Sequence, residues 1–296
     1  MFKKLHNQAK ISFEIKPITP LLIQSGQAGL DPTLPDMRFV RTQGPLGNDV
    51  IFIPGSSLKG VIRSYVERIL RTMGLRVCEL GRCKGKYDRH CYACRIFGSI
   101  TLSSRTRIVD AYPWRWDMNE SECEKAIKAV MSSTMVRPGV AIDRRMGSAK
   151  SGSLFDFEVV TGGTFYGDII IRNFQLWQLA LILVALRDID EGYQQLGYGK
   201  SRGLGRVSLK PSLLEIESYG HLAELAREGK IAGVGETEDR AAYNLIESDF
   251  VSYTDQTPED TGLKTVLKIE ETDKIKALLD AILKSDNWKN LLKKGR

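Results

Sequence analysis

The chain has 296 residues, enough for one large buried core or two small ones. Hydrophobic residues make up 42% and charged residues 27%, the balance of an ordinary globular protein, and no apolar run reaches membrane-spanning length. A net charge of +7 favours a polyanionic partner, and Met1-Phe2-Lys3-Lys4 lacks the apolar stretch of a secretory signal, so the expected compartment is the cytoplasm.

Ile11, Phe13 and Ile15 alternate with Ser12, Glu14 and Lys16, the period of a half-buried strand that Pro17 and Pro20 then interrupt. Residues 24–47, rich in Gly, Pro and Asp, predict a long loop, a length that is usually functional or disordered in a compact domain. A short strand at 50–53 leads into a helix whose Leu58, Val61, Ile62, Tyr65, Ile69 and Met73 keep helical spacing until Gly74 closes it. Ser56 or Ser57 is the natural N-cap. Lys59 and Arg63 follow one turn apart, near a helix start that favours anions.

Cys78, Cys83, Cys91 and Cys94 are spaced C-x4-C-x7-C-x2-C, with His90 beside them as an alternative ligand. Zinc takes four soft ligands in a tetrahedron, and a close C-x2-C pair is its usual anchoring half, so the pattern predicts a structural zinc. Incidental buried thiols are the other reading. Five cysteines in a cytoplasmic chain do not make a disulfide framework, and Cys123 stands apart as a lone thiol.

A strand at 106–112 and a short helix at 120–131 come next. Residues 136–152 are rich in Arg and Gly, Arg144 and Arg145 among them, and predict a protruding loop or hairpin. Strands at 154–160 and 164–172, joined by Thr161-Gly162-Gly163, precede a second core helix at 174–189. The succession of strands and helices occurs twice, which suggests a ferredoxin-like α+β sheet with long insertions.

The second helix runs into Leu196-Gly197-Tyr198-Gly199-Lys200-Ser201-Arg202-Gly203-Leu204-Gly205-Arg206-Val207. Four glycines in nine positions allow close approach to a ligand, and Lys200, Arg202 and Arg206 add cations, a combination suited to phosphate. It is neither a Walker loop, since Gln194 stands where the first glycine is required, nor a dinucleotide fingerprint, since helix precedes and strand follows. A basic turn between helix and strand is the alternative. Tyr198 could stack on a base or serve packing. After Lys210 a short strand at 213–216, a helix from His221, a Pro/Thr/Asp linker at 254–261 and an amphipathic helix at 273–294 predict a peripheral extension.

Ile53-Pro54-Gly55-Ser56-Ser57-Leu58-Lys59-Gly60 and the glycine loop together resemble the RAMP superfamily of CRISPR systems. The likeness is to the repeated backbone (Csm/Cmr-type) subunit of type III effector complexes. Cys91-Tyr92-Ala93-Cys94-Arg95-Ile96-Phe97-Gly98 and Gly139-Val140-Ala141-Ile142-Asp143-Arg144 also look like that subunit. Four motifs in the expected order, across roughly residues 10–210, are far more specific than any one of them.

The resemblance implies a modified RNA-recognition core within 1–210 and a thumb region at 136–152; the zinc segment at 78–98 is expected from its thiol spacing, and the extension at 211–296 lies outside the likeness. It implies guide RNA, target single-stranded RNA, further copies of the chain and other effector subunits as partners in a prokaryotic cytoplasm. Ser56, Ser57, Lys59, Arg63, Gly199, Lys200, Ser201, Arg202, Arg144 and Arg145 would contact RNA. In slicing members an aspartate on the long loop supports Mg2+-dependent target cleavage; Asp36 matches that position and Asp31 is the runner-up. Leu22 stands where such members often carry histidine. Two alternatives accompany slicing: a non-catalytic RNA-binding subunit, and a metal-independent guide-processing endoribonuclease, which the scarcity of histidine disfavours.

Overall fold

The structure, a computed structural model, describes residues 3–24, 34–79 and 82–295. Its central strand is β1 (Asn7–Pro17), in which Ala9, Ile11, Phe13 and Ile15 are buried on one face while Lys10, Ser12 and Glu14 occupy the other. The chain then forms a small hairpin of β2 (Arg41–Gln43) and β3 (Asp49–Ile51), followed by α1 (Gly55–Thr72) and α2 (Tyr92–Phe97). After β4 (Thr106–Ile108) and α3 (Glu120–Met131) come β5 (Thr134–Ile142), β6 (Ala149–Val160), β7 (Phe165–Arg172) and α4 (Leu176–Asp190). The remainder is β8 (Val207–Tyr219), α5 (His221–Arg227), β9 (Lys230–Ala232), α6 (Arg240–Tyr243), β10 (Phe250–Ser252), β11 (Glu259–Asp260), β12 (Lys264–Ile269), α7 (Thr272–Lys284) and α8 (Asp286–Lys293).

The main sheet is antiparallel throughout, in the order β11-β12-β8-β1-β7-β4. Ile11 pairs with Ile169 on one side and Leu214 on the other, so the pleat places a continuous apolar stripe beneath the helices. Pro211 lies in β8 opposite Phe13, where the register shifts. A proline cannot donate to the ladder, and the bulge accommodates it inside a central strand.

Against this stripe lies α4, apolar on every side and buried from Leu176 through Leu186. Such a helix must be covered all round, and α1, α7 and α8 pack against it together with the sheet. Trp177 meets Tyr92 edge-on at 5.6 Å, joining α4 to the cysteine segment.

Several expectations are revised by this arrangement. The loop expected at 24–47 contains β2, and Val40 donates its N–H to the Ile23 carbonyl at 3.0 Å, so its described end is held to the body. The adjacent strands at 154–160 and 164–172 part company: β6 pairs with β5 in a separate hairpin, while β7 enters the main sheet. Residue 210 falls inside β8, and β12, α7 and α8 contribute Leu267, Ile275, Leu279 and Leu291 to the main core. The chain beyond 210 is thus built into the core instead of lying at its periphery. The expected C-terminal helix breaks at Ser285, whose hydroxyl caps α8 by accepting the Trp288 N–H at 3.3 Å.

Candidate nucleic-acid interface and metal centre

The glycine loop is pinned to residues 20–22. Tyr198 donates its N–H to the Leu22 carbonyl at 2.8 Å, and Gly205 donates to Pro20 at 2.9 Å. A Cβ on Gly197 would stand 2.1 Å from the Leu22 carbonyl oxygen, and one on Gly205 1.9 Å from that of Leu196, with φ of +72° and +83°. These glycines are dictated by backbone crossing backbone. Between them Lys200, Ser201 and Arg202 form a single exposed 3-10 turn after Gly199. Arg202 lies over the Tyr198 ring at 5.5 Å.

Across from this turn stands Arg68 of α1, a residue the sequence reading did not single out. It hydrogen-bonds Gln194 and lies 5.1 Å from the Tyr65 ring. Tyr65 in turn donates to Asp188 at 2.6 Å, and burial together with that carboxylate pushes its hydroxyl up to about 12. Lys200 is lowered from the ordinary lysine value by burial and then by Arg68. Among the described residues neither Arg68 nor Lys200 forms an ion pair, and two neighbouring cations without one are an anion-seeking arrangement.

The start of α1 is built differently from expectation. Pro54, not a serine, is the N-cap residue, and Asp110 Oδ1 accepts the Gly55 N–H at 2.7 Å. A Cβ on Gly55 would meet the Ile108 carbonyl at 2.3 Å, so only glycine lets this turn sit against the end of β4. Ser56 is exposed and Ser57 half-buried. Lys59 donates to Ser104 Oγ at 3.0 Å and to the Thr106 carbonyl at 3.3 Å, and burial, then Arg63, lowers its pKa. Arg63 pairs with Glu67 at 2.8 Å and reaches Cys94 Sγ at 3.8 Å. By the pitch of α1, Lys59 and Arg63 share the cysteine side, whereas Tyr65 and Arg68 share the loop side.

The four cysteine Sγ atoms lie within 4.8 Å of one another. Cys78 is 3.4 Å from Cys94 and 3.6 Å from Cys91, near the ~3.8 Å that a tetrahedron of 2.3 Å zinc–sulfur bonds requires. Cys83 Sγ accepts the Cys91 N–H at 3.3 Å, and Cys91 Sγ, capping α2, accepts that of Cys94 at 3.4 Å. Such N–H groups aimed at sulfur support thiolate ligands. Burial raises the Cys78 thiol, but hydrogen bonds with Cys94, Cys83 and Cys91 outweigh it and bring it to about 7; burial pushes Cys94 up. This set could hold a metal ion such as zinc. His90 is not part of it: its ring nitrogens face the Lys86 carbonyl at 2.9 Å and Ser99 Oγ at 3.0 Å. Cys123 is buried in a separate cluster with Val50, Trp114 and Ile127.

Asp36 is exposed, and its Oδ2 accepts the Asp156 N–H at 2.9 Å. Met37 donates to the Asp156 carbonyl at 3.1 Å and accepts from Glu158 at 2.9 Å, so this segment runs along β6 where the β5–β6 hairpin leaves the body. Buried Glu158 completes the anchor by accepting from Arg41 at 2.6 Å and from the Phe39 N–H at 3.1 Å. Beyond it the hairpin is exposed. At its tip Asp143 accepts the N–H groups of Arg145 and Met146, leaving the Arg144 and Arg145 side chains outward. Asp31 lies outside the described residues.

The described residues contain no helix long and apolar enough to cross a membrane. Residues 14–208 match the family model of the RAMP superfamily. The CRISPR system Cms endoribonuclease Csm3 of Methanothermobacter thermautotrophicus is 31% identical over 182 residues, spanning 54% of this chain and 67% of that protein. The protein of the same name in Methanocaldococcus jannaschii is 29% identical over 226 residues, spanning 70% of this chain and 82% of its own length.

Proposed function

This chain belongs to the RAMP superfamily as a Csm/Cmr-type subunit, and from that premise we propose that it is a type III backbone subunit that binds guide RNA and cleaves target RNA. Strands β8-β1-β7-β4, with α1 and α4 as the two connecting helices, serve as the ferredoxin-like core of a modified RNA-recognition fold. Ser56, Ser57, Lys59 and Arg68 on α1, with Gly199, Lys200, Ser201 and Arg202 on the loop, contact sugar and phosphate. Such contacts position RNA without reading its sequence. The β5–β6 hairpin is the thumb, wedging Arg144, Arg145 and its exposed apolar residues Ile142 and Met146 between guide and target.

The observation that carries the cleavage reading is the tether of Asp36 to Asp156 at the hairpin base. Its carboxylate spends one lone pair on that N–H and stays exposed, with acceptor capacity for a hard cation. Asp36 would hold a divalent ion there, and the ion would supply charge stabilisation at the scissile phosphate. The cysteine set holds a structural zinc. The experiment is incubation of the assembled complex with labelled target RNA in Mg2+ or EDTA. Regularly spaced cuts that need Mg2+ support slicing; cleavage of repeat RNA in EDTA supports guide processing.

One observation favours the non-catalytic reading. Among the described residues, no second and third His, Cys, Asp or Glu gather around Asp36 as they do at the cysteine cluster. Intact target under Mg2+, with guide and target still bound, would select it.

A further inference from the structure

The far end of α1 carries a cavity of about 780 Å³, between Gly74, the cysteine segment and the end of α8. Gly74 follows α1, about 20 Å along the helix from Lys59, so the two places cannot share one phosphate. Arg76, Lys84, Arg89, Arg95 and Lys294 line the cavity, against one carboxylate among the described residues, that of Asp88. None of these five cations forms an ion pair among the described residues. In α7 and α8, by contrast, Lys274 pairs with Glu271 at 2.7 Å and Lys289 with Asp286 at 3.0 Å. A solvated face interleaves both signs in that way, and the cavity does not. Even with the two negative charges that four thiolates leave around a zinc, its lining stays cationic.

A second observation concerns Arg95, which is only 8% exposed. Its guanidinium donates to neutral acceptors alone, the carbonyls of Asp88 at 2.7 Å and His90 at 3.0 Å. The rings of Tyr87 and Tyr92 flank it at 5.2 and 5.0 Å. These contacts fix the guanidinium in place and none cancels its charge. A buried charge without a counter-ion is costly, and an anion in the cavity would offset it. Arg76 is held in the same manner, by the Arg89 carbonyl.

We propose that this cavity takes the phosphates of a single-stranded nucleic acid, as a second anion site separate from the α1 start and the glycine loop. The carbonyls of residues 88–90 already accept from Arg76 and Arg95. An extended acidic peptide brings N–H groups that need such acceptors, whereas a phosphate backbone brings acceptors only. Guanidinium forks held in place can meet phosphate oxygens two at a time. Exposed Lys84, Arg89 and Lys294 add cations along which a strand can run. The site acts whether or not the glycine loop binds guide RNA.

The probe is fluorescein-labelled decauridylate, titrated into the full chain carrying Arg68→Ala with Lys200→Ala, which removes two cations of the first surface. Lys84→Gln with Arg89→Gln alters two exposed residues whose side chains have no partner among the described residues. Added to that background, the pair should weaken the remaining binding at least about tenfold and lower the salt slope by about 1.4, with the melting temperature unchanged. In the otherwise wild-type chain it should lower the slope as much, even if Arg68 and Lys200 contribute nothing. A decamer bearing 4-thiouridine should crosslink within residues 82–95. Unchanged affinity and slope would overturn the proposal. Displacement by inorganic phosphate at equal phosphate concentration would overturn it too, as the mark of a small-anion site. So would displacement by decaglutamate at a lower concentration than unlabelled decauridylate, the mark of an acidic protein partner.

Discussion

The Arg63 guanidinium lies 3.8 Å from the Sγ of Cys94, joining α1 to the cysteine cluster. Four thiolates around one divalent zinc leave two negative charges, and Arg63 is placed to offset one of them. Metal analysis of the purified chain should find about one zinc per chain. Cys91→Ser with Cys94→Ser should abolish it and lower the melting temperature, because both thiols are buried in the main core. Arg63→Ala should weaken metal retention against a chelator, whereas His90→Gln should leave zinc content unchanged. A metal-free wild type after mild purification would contradict this.

Arg68 and Lys200 make the second prediction. Arg68→Ala with Lys200→Ala should reduce guide affinity alike for unrelated spacers, since phosphate contacts carry no sequence information. For two single-strand phosphates the slope of log affinity against log salt should fall by about 1.4. A loss confined to one spacer would mean that these residues read bases.

The sequence made much of this legible. The alternation of Ile11, Phe13 and Ile15 and the core helix expected at 174–189 are local patterns that the structure keeps, and the four spaced thiols gather into a set that could hold a metal ion. What stayed hidden depends on distant partners. Asp110 takes over helix capping from the serines across fifty-five positions of sequence. Arg68 gains its place only because α4 returns the glycine loop beside α1. Glycines that looked like a cradle for phosphate are required first by the chain crossing residues 20–22. The C-terminal third looked separable because its strand β12 has no local sign that β8 will be its neighbour.

Gly205→Ala should be strongly destabilising. Its φ of +83° is strained for any residue with a Cβ, costing about 1–3 kcal/mol, and the new methyl would collide with the Leu196 carbonyl at 1.9 Å. Gly203→Ala, with φ of +81° but open space around it, should cost only the strain. Denaturant melts of the two variants compare them directly; equal losses would remove the crossing argument.

Asp249 predicts a pH effect. Its carboxyl is buried and accepts N–H groups from Leu176 and Gly235, each at 2.8 Å. Burial dominates those bonds and pushes it from 3.8 up to about 7. The folded state then holds a proton that the unfolded chain has released, so this contribution is full below about pH 4 and is lost as pH rises to about 7. Relative to Asp249→Asn, the wild type should lose stability across that window and run parallel above it. An unchanged difference from pH 4 to 8 would show that this carboxyl does not titrate there.

The most direct measurement is target cleavage by the assembled complex carrying Asp36→Ala. Mg2+-dependent, regularly spaced cutting by the wild type should disappear in the variant. Guide and target affinity should stay within about twofold, because only one carboxylate leaves an otherwise intact cationic surface. Unchanged cleavage by Asp36→Ala would contradict the account, as would a wild type that binds target under Mg2+ and never cuts it.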